Sequence, residues 1–223
     1  MNLVSNRYFA GTFRLLLGLA ILGSVAWQVT DRLIHNVFRP QEYFTFFTVD
    51  TSILVGIVLL VTAYFSFTGR PESRTITLIR MSLVCSYVVV GVVYNALLRG
   101  LPASAADAGY VWPTTPNEVL HVWAPALLVV EWLLFERKNA VSFRAGLWAW
   151  AYPFAWLGFT LVRGLVDGWW PYFFINPNDK GGVTGMLTYI FGIMAFLYLI
   201  AAVLIPAQRL TRRLVSAFEK DSN

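Results

Sequence analysis

Six stretches of this chain are almost free of charge, and each is close to the 20 or so residues needed to cross the hydrocarbon core of a bilayer. They run over approximately 8–28, 43–67, 76–98, 118–135, 145–165 and 183–205. None alternates apolar and polar residues as a membrane barrel strand does. The expected fold is therefore an all-α integral membrane protein: one domain over 1–223, a bundle of six transmembrane helices. Composition agrees. Charged residues make up 13% of the chain, against about 25% in a soluble domain, and the mean hydropathy is +0.61. Too little polar surface is left to coat a globule in water. Cys85 has no partner for a disulfide and reads as a small buried hydrophobe.

The connections carry the orientation. Arg and Lys on the side of the N-terminus, the second-to-third turn, the fourth-to-fifth turn and the C-terminal tail number twelve; the opposite side has five, Arg32, Arg39, Arg99, Arg163 and Lys180. The positive-inside rule places the richer side, with both termini, in the cytoplasm. A multi-pass protein of a bacterial inner membrane is the expectation. The net charge of +5 is spread beside apolar runs as topology signals, which argues against nucleic acid as a partner.

With that topology, polar groups gather at one depth, in the outer leaflet. Segment two begins with Thr45, Thr48, Asp50 and Thr51; segment three ends with Tyr94, Asn95 and Arg99. Segment four begins with Asn117, Glu118 and His121, and segment five ends with Arg163 before Asp167 and Trp169-Trp170-Pro171-Tyr172. Polar groups in hydrocarbon cost several kcal/mol unless paired, so such groups face the bundle interior. A lone carboxyl at Asp50 would be neutral or matched to a cation, with Arg163 or Arg99 available. Thr45, Thr48 and Thr51 recur every third residue and form one stripe on a helix. Threonine is a poor nucleophile unless a base takes its proton, and a histidine at equal depth is a candidate base. The same threonines can equally serve as helix-to-helix hydrogen bonds. The two histidines, without an inward cysteine, do not make a usual metal ligand set, and no cofactor is expected.

Three runs occur in order along the chain: Tyr43-Phe44-Thr45, then Asn117-Glu118-Val119-Leu120-His121 with Pro125, then Gly168-Trp169-Trp170-Pro171-Tyr172-Phe173. Together they resemble the FAR-17a/androgen-induced family of six-helix membrane proteins, particularly its bacterial Pr-six-Pr members. The resemblance spans nearly the whole chain. It implies a hydrolase that cleaves fatty acid esters of hydroxy fatty acids with one membrane Thr and one membrane His, which fall on Thr45 and His121. The animal pattern has Asp three residues after that Thr; here the position is Thr48 and the acid is Asp50. With three threonines in line, Thr48 is the alternative nucleophile. Tyr94, Asn95 and Asn117 are then candidates to hold substrate or oxyanion, and Trp169, Trp170 and Tyr172 to line a mouth at the interface. The rival expectation is a protein that binds or transports a lipid or other amphiphile without chemistry, in which Asp50 and Arg163 matter more. A third is a purely structural subunit.

Overall fold

The computed structural model describes residues 6–101, 107–135 and 141–221. Among these, every regular element is helical. The chain runs through α1 (Arg7–Ile34), α2 (Pro40–Tyr43), α3 (Phe47–Thr68), α4 (Arg74–Val93), α5 (Thr114–Glu118), α6 (Ala124–Phe135), α7 (Phe143–Gly146), α8 (Ala151–Asp167) and α9 (Gly182–Asp221). Several starts and stops have local causes. Asn6 caps α1 by accepting from the Tyr8 N–H at 2.8 Å, and Ser73 caps α4 through the Ile76 N–H. Gly69 ends α3 in a left-handed conformation at φ 72°, where other residues are strained.

Five helical runs are long and apolar enough to cross a membrane: Arg7–Ile34, Phe47–Thr68, Arg74–Leu98, Thr114–Phe135 and Gly182–Leu214. Four of the six expected segments, 8–28, 76–98, 118–135 and 183–205, fall within these runs, and the second, 43–67, begins as a helix only at Phe47, after α2 and a turn. The fifth segment in the chain, 145–165, lies in a contiguous run of α7, a 3₁₀ stretch at Leu147–Trp150 and the 17-residue α8. The last segment continues past its expected end: Pro206 lies inside α9, where it removes one backbone donor without stopping the helix.

The most extensive helix pairing is α1 against α3. A Cβ on Gly18 would sit 3.2 Å from the Gly56 carbonyl oxygen, and one on Gly56 would sit 2.5 Å from Leu22 Cγ. Small residues at the crossing let the backbones approach, the usual device where no hydrophobic effect drives helices together.

Two charge clusters hold the ends of the bundle. At the end where α1 starts, Glu131 of α6 is fully buried. It accepts from Arg14 Nε at 2.6 Å and from Arg80 Nη2 at 2.6 and 2.7 Å. Glu72, in the α3–α4 turn, bridges the same two arginines at 2.6 Å each. Among the described residues, two cations and two anions balance. Arg14 and Arg80 were counted in the sequence among the charges that orient the chain. They are instead 2% and 3% exposed and belong to the core, as does Arg32 on the opposite side at 3%, which leaves ten Lys and Arg of that side against four. At the other end, Arg32 and Arg39 grip Asp107 at 2.9 and 2.6 Å, closing the loop before α5 onto the end of α1. Arg32 also lies over the Trp112 ring, 4.6 Å from its centre.

Candidate functional site

The polar residues of the loop-rich end divide among three places. The first is built on two π-helical stretches, Tyr94–Leu98 at the end of α4 and Val119–Trp123 between α5 and α6. A π stretch inserts a residue into the helical ladder and rotates the side chains that follow, and such features recur at functional sites. Here they bring Tyr94 and His121 face to face, with ring centres 3.8 Å apart and planes 25° apart. Asn117 donates to the Tyr94 hydroxyl at 2.6 Å, and Asn95 Nδ2 donates to the His121 carbonyl at 3.2 Å. Arg99 adds a two-pronged pair to Glu118, at 2.7 and 3.0 Å.

Besides the stacking on Tyr94, one hydrogen bond orients the His121 ring: Nδ1 lies 2.9 Å from the Asn117 carbonyl oxygen. A carbonyl only accepts, so Nδ1 carries the proton, and in the neutral ring Nε2 holds the lone pair. That is the tautomer a general base needs. His121 and Asn95 border a groove between α4 and α6.

The second place is an internal cavity between α3, α4, α8 and α9, with about 690 Å³ of empty space, part of it open to the surroundings. Its walls include Val89, Val93, Leu157, Ile193, Met194 and Leu197. Its polar groups are Thr48, Tyr94 and Tyr172, which come from the start of α3, the end of α4 and the loop after α8. All three therefore stand at the loop end, while the helices continue inward with apolar side chains. Burial pushes the Tyr172 phenol up to about 12, so it is a neutral donor across the physiological range.

The third place is a groove where α8 meets the α2–α3 turn, bordered by Gln41, Phe44, Thr45, Asp50, Phe159 and Arg163. Arg163 Nη1 donates to both the Gln41 carbonyl and the Thr45 hydroxyl. Thr45 Oγ1 in turn donates to the Gln41 carbonyl at 2.8 Å. Arg163 Nε pairs with Asp167 at 2.9 Å, and its guanidinium lies over Trp169 at 4.3 Å. Trp170 packs on Gly164, where a Cβ would come within 2.5 Å of the indole.

This arrangement differs from the expected stripe. Pro40 opens the short α2, and Phe46 has extended backbone at ψ 129°, so Thr45 lies in a turn off the helix. Of the other two threonines, Thr48 faces the cavity, and Thr51 is fully buried and bonded to the Tyr152 hydroxyl at 2.8 Å. Among the described residues no hydrogen bond joins His121 to Thr45 or Thr48. The expected partners of Asp50 are engaged elsewhere, Arg163 with Asp167 and Arg99 with Glu118. The structure thus brings Tyr94, Asn95, Asn117 and His121 together, and separately Thr45, Asp50, Arg163 and Trp169. Tyr94 alone joins the histidine cluster to the cavity of Thr48 and Tyr172.

No protein-family model, curated protein or solved structure matches this chain.

Proposed function

We propose that this chain is a multi-pass membrane protein that binds a fatty acyl lipid, with the acyl chain in the α3–α4–α8–α9 cavity. One observation carries the reading: the cavity is apolar along its depth and polar only at the loop end, at Thr48, Tyr94 and Tyr172. That is the polarity pattern of an amphiphile. Membrane lipids and fatty acid esters are the natural occupants.

The finer architecture belongs to the same proposal. The helical residues from Phe143 to Asp167 supply a sixth crossing. The remaining excess of Lys and Arg puts the Arg14–Glu131 end, and both termini, on the cytoplasmic side of a bacterial plasma membrane. The cavity mouth then opens in the outer leaflet.

Ester hydrolysis of the FAR-17a/androgen-induced type is a second reading, favoured by the base-ready tautomer of His121. In it a threonine hydroxyl attacks the acyl carbonyl, the alcohol leaves with the proton His121 received, and water releases the acyl group from the threonine. Thr48 is better placed than Thr45, whose hydroxyl is committed to Gln41 and Arg163. His121 lies behind Tyr94, so this chemistry requires the tyrosine ring to rotate.

The test is hydrolysis of a fluorogenic medium-chain acyl ester by purified protein in detergent, beside Thr45→Ala, Thr48→Ala and His121→Ala. Turnover lost in Thr48→Ala and His121→Ala and kept in Thr45→Ala supports the hydrolase. Absence of turnover, with acyl lipid retained through purification, leaves the binding function alone. Neither turnover nor retained lipid sinks both readings.

A further inference from the structure

The groove of Asp50 and Arg163 lies on the opposite side of α3 from the acyl cavity: Asp50 faces one way, and Thr48, two residues earlier, faces the other. Two features there are unused by anything described so far. The Asp50 carboxylate, half-buried, has no hydrogen bond or ion pair among the described residues. Arg163 is fixed by bonds from Nε and Nη1, and among the described residues Nη2 has no protein acceptor. The Arg163–Asp167 pair is neutral, so Asp50 is the surplus charge. The start of a helix favours an acid in its first turn. That explains tolerance of Asp50, but supplies no hydrogen bond to its oxygens.

The walls of the groove are apolar and face outward. Phe44 and Phe159 are 44% and 59% exposed. In a bilayer an unmatched carboxylate beside such rings costs several kcal/mol, and a cation beside it removes the cost. Aromatic faces attract ammonium groups as well. A guanidinium edge suits a phosphate oxygen. We infer that this groove is a headgroup site for a zwitterionic phospholipid with a primary ammonium: the ammonium donates to Asp50, and the phosphate accepts from Arg163 Nη2. The primary ammonium is specified because Asp50 offers hydrogen-bond acceptors that a quaternary ammonium cannot use. The site is independent of the acyl cavity, and either assignment can fail alone.

The experiment is native mass spectrometry of the full chain, delipidated and titrated with phosphatidylethanolamine, phosphatidylcholine or phosphatidylglycerol of matched acyl chains. Wild-type protein is expected to bind the ethanolamine lipid about tenfold more tightly than the glycerol lipid, the value of one charge-assisted hydrogen bond. Phosphatidylcholine is expected to fall between them. Asp50→Asn removes the preference; Asp50→Glu keeps most of it. Soluble phosphoethanolamine competes with the lipid if the headgroup alone is recognised. Equal binding of the three lipids by wild type overturns the proposal, and this arm needs no variant to fold. So does an undiminished ethanolamine preference in a folded Asp50→Asn protein.

Discussion

Replacing Glu131 by Gln tests the buried charge cluster with the least change of shape. Glu131 is fully enclosed and takes three hydrogen bonds of 2.6–2.7 Å from Arg14 and Arg80. The cluster is balanced: Arg14 and Arg80 against Glu72 and Glu131. The amide keeps the volume but leaves a net positive charge inside the bundle, and its NH₂ group faces donors rather than acceptors. Breaking a buried pair by removing one partner costs about 3–5 kcal/mol. For a chain of this size, roughly 2–4 °C of melting temperature is lost per kcal/mol, so a drop of about 10 °C is expected. Fluorescence-detected size-exclusion after heating, in one detergent, measures it. The double variant Glu131→Gln with Arg14→Met restores neutrality, and its loss is expected to fall short of the sum of the single losses by about 1–3 kcal/mol. A Glu131→Gln protein melting within 2 °C of wild type refutes the reasoning, because an uncompensated buried charge cannot be that cheap.

Other perturbations separate buried from exposed interactions. Arg99→Ala breaks the Arg99–Glu118 pair, which is 42% and 31% exposed, and is expected to leave the melting temperature essentially unchanged in the same assay. Gly56→Ala forces a methyl onto Leu22 and is expected to cost about 1–3 kcal/mol; Gly23→Ala, which meets nothing within 4 Å, is expected to be harmless. For Asp107, burial alone would raise the carboxyl pKa, but hydrogen bonds from Arg32 and Arg39 outweigh it and hold it below the ordinary 3.8. A lowered folded-state pKa means the stabilisation is present above the ordinary value and lost as pH falls through the folded one. Melting curves of wild type should therefore fall toward those of Asp107→Asn only below about pH 4, and convergence at pH 6 would contradict the assignment.

The helical runs were legible in the sequence because lipid imposes an unbroken apolar length. The expected 8–28 and 76–98 fall within Arg7–Ile34 and Arg74–Leu98. The convergence of polar groups at one end was legible too, because depth follows from position along a helix. Which of them touch was not, because contact depends on helix rotation. Phe46 in an extended conformation takes Thr45 off the helix, and the π stretches at Tyr94 and Val119 turn Tyr94 and His121 toward each other. Arg14 and Arg80 were misread for a related reason. A basic residue near a helix end looks like an interfacial charge until its acids are located, and Glu72 and Glu131 lie far from Arg14 in the chain.

The most direct test of the acyl cavity is native mass spectrometry of protein purified without added lipid, beside Met194→Trp, which fills the cavity from α9. An acyl-lipid adduct on the wild type, identified after extraction and one lipid fewer on the tryptophan variant, is the predicted result. The same number of bound lipids on both proteins, or none on either, contradicts acyl-lipid binding in the cavity.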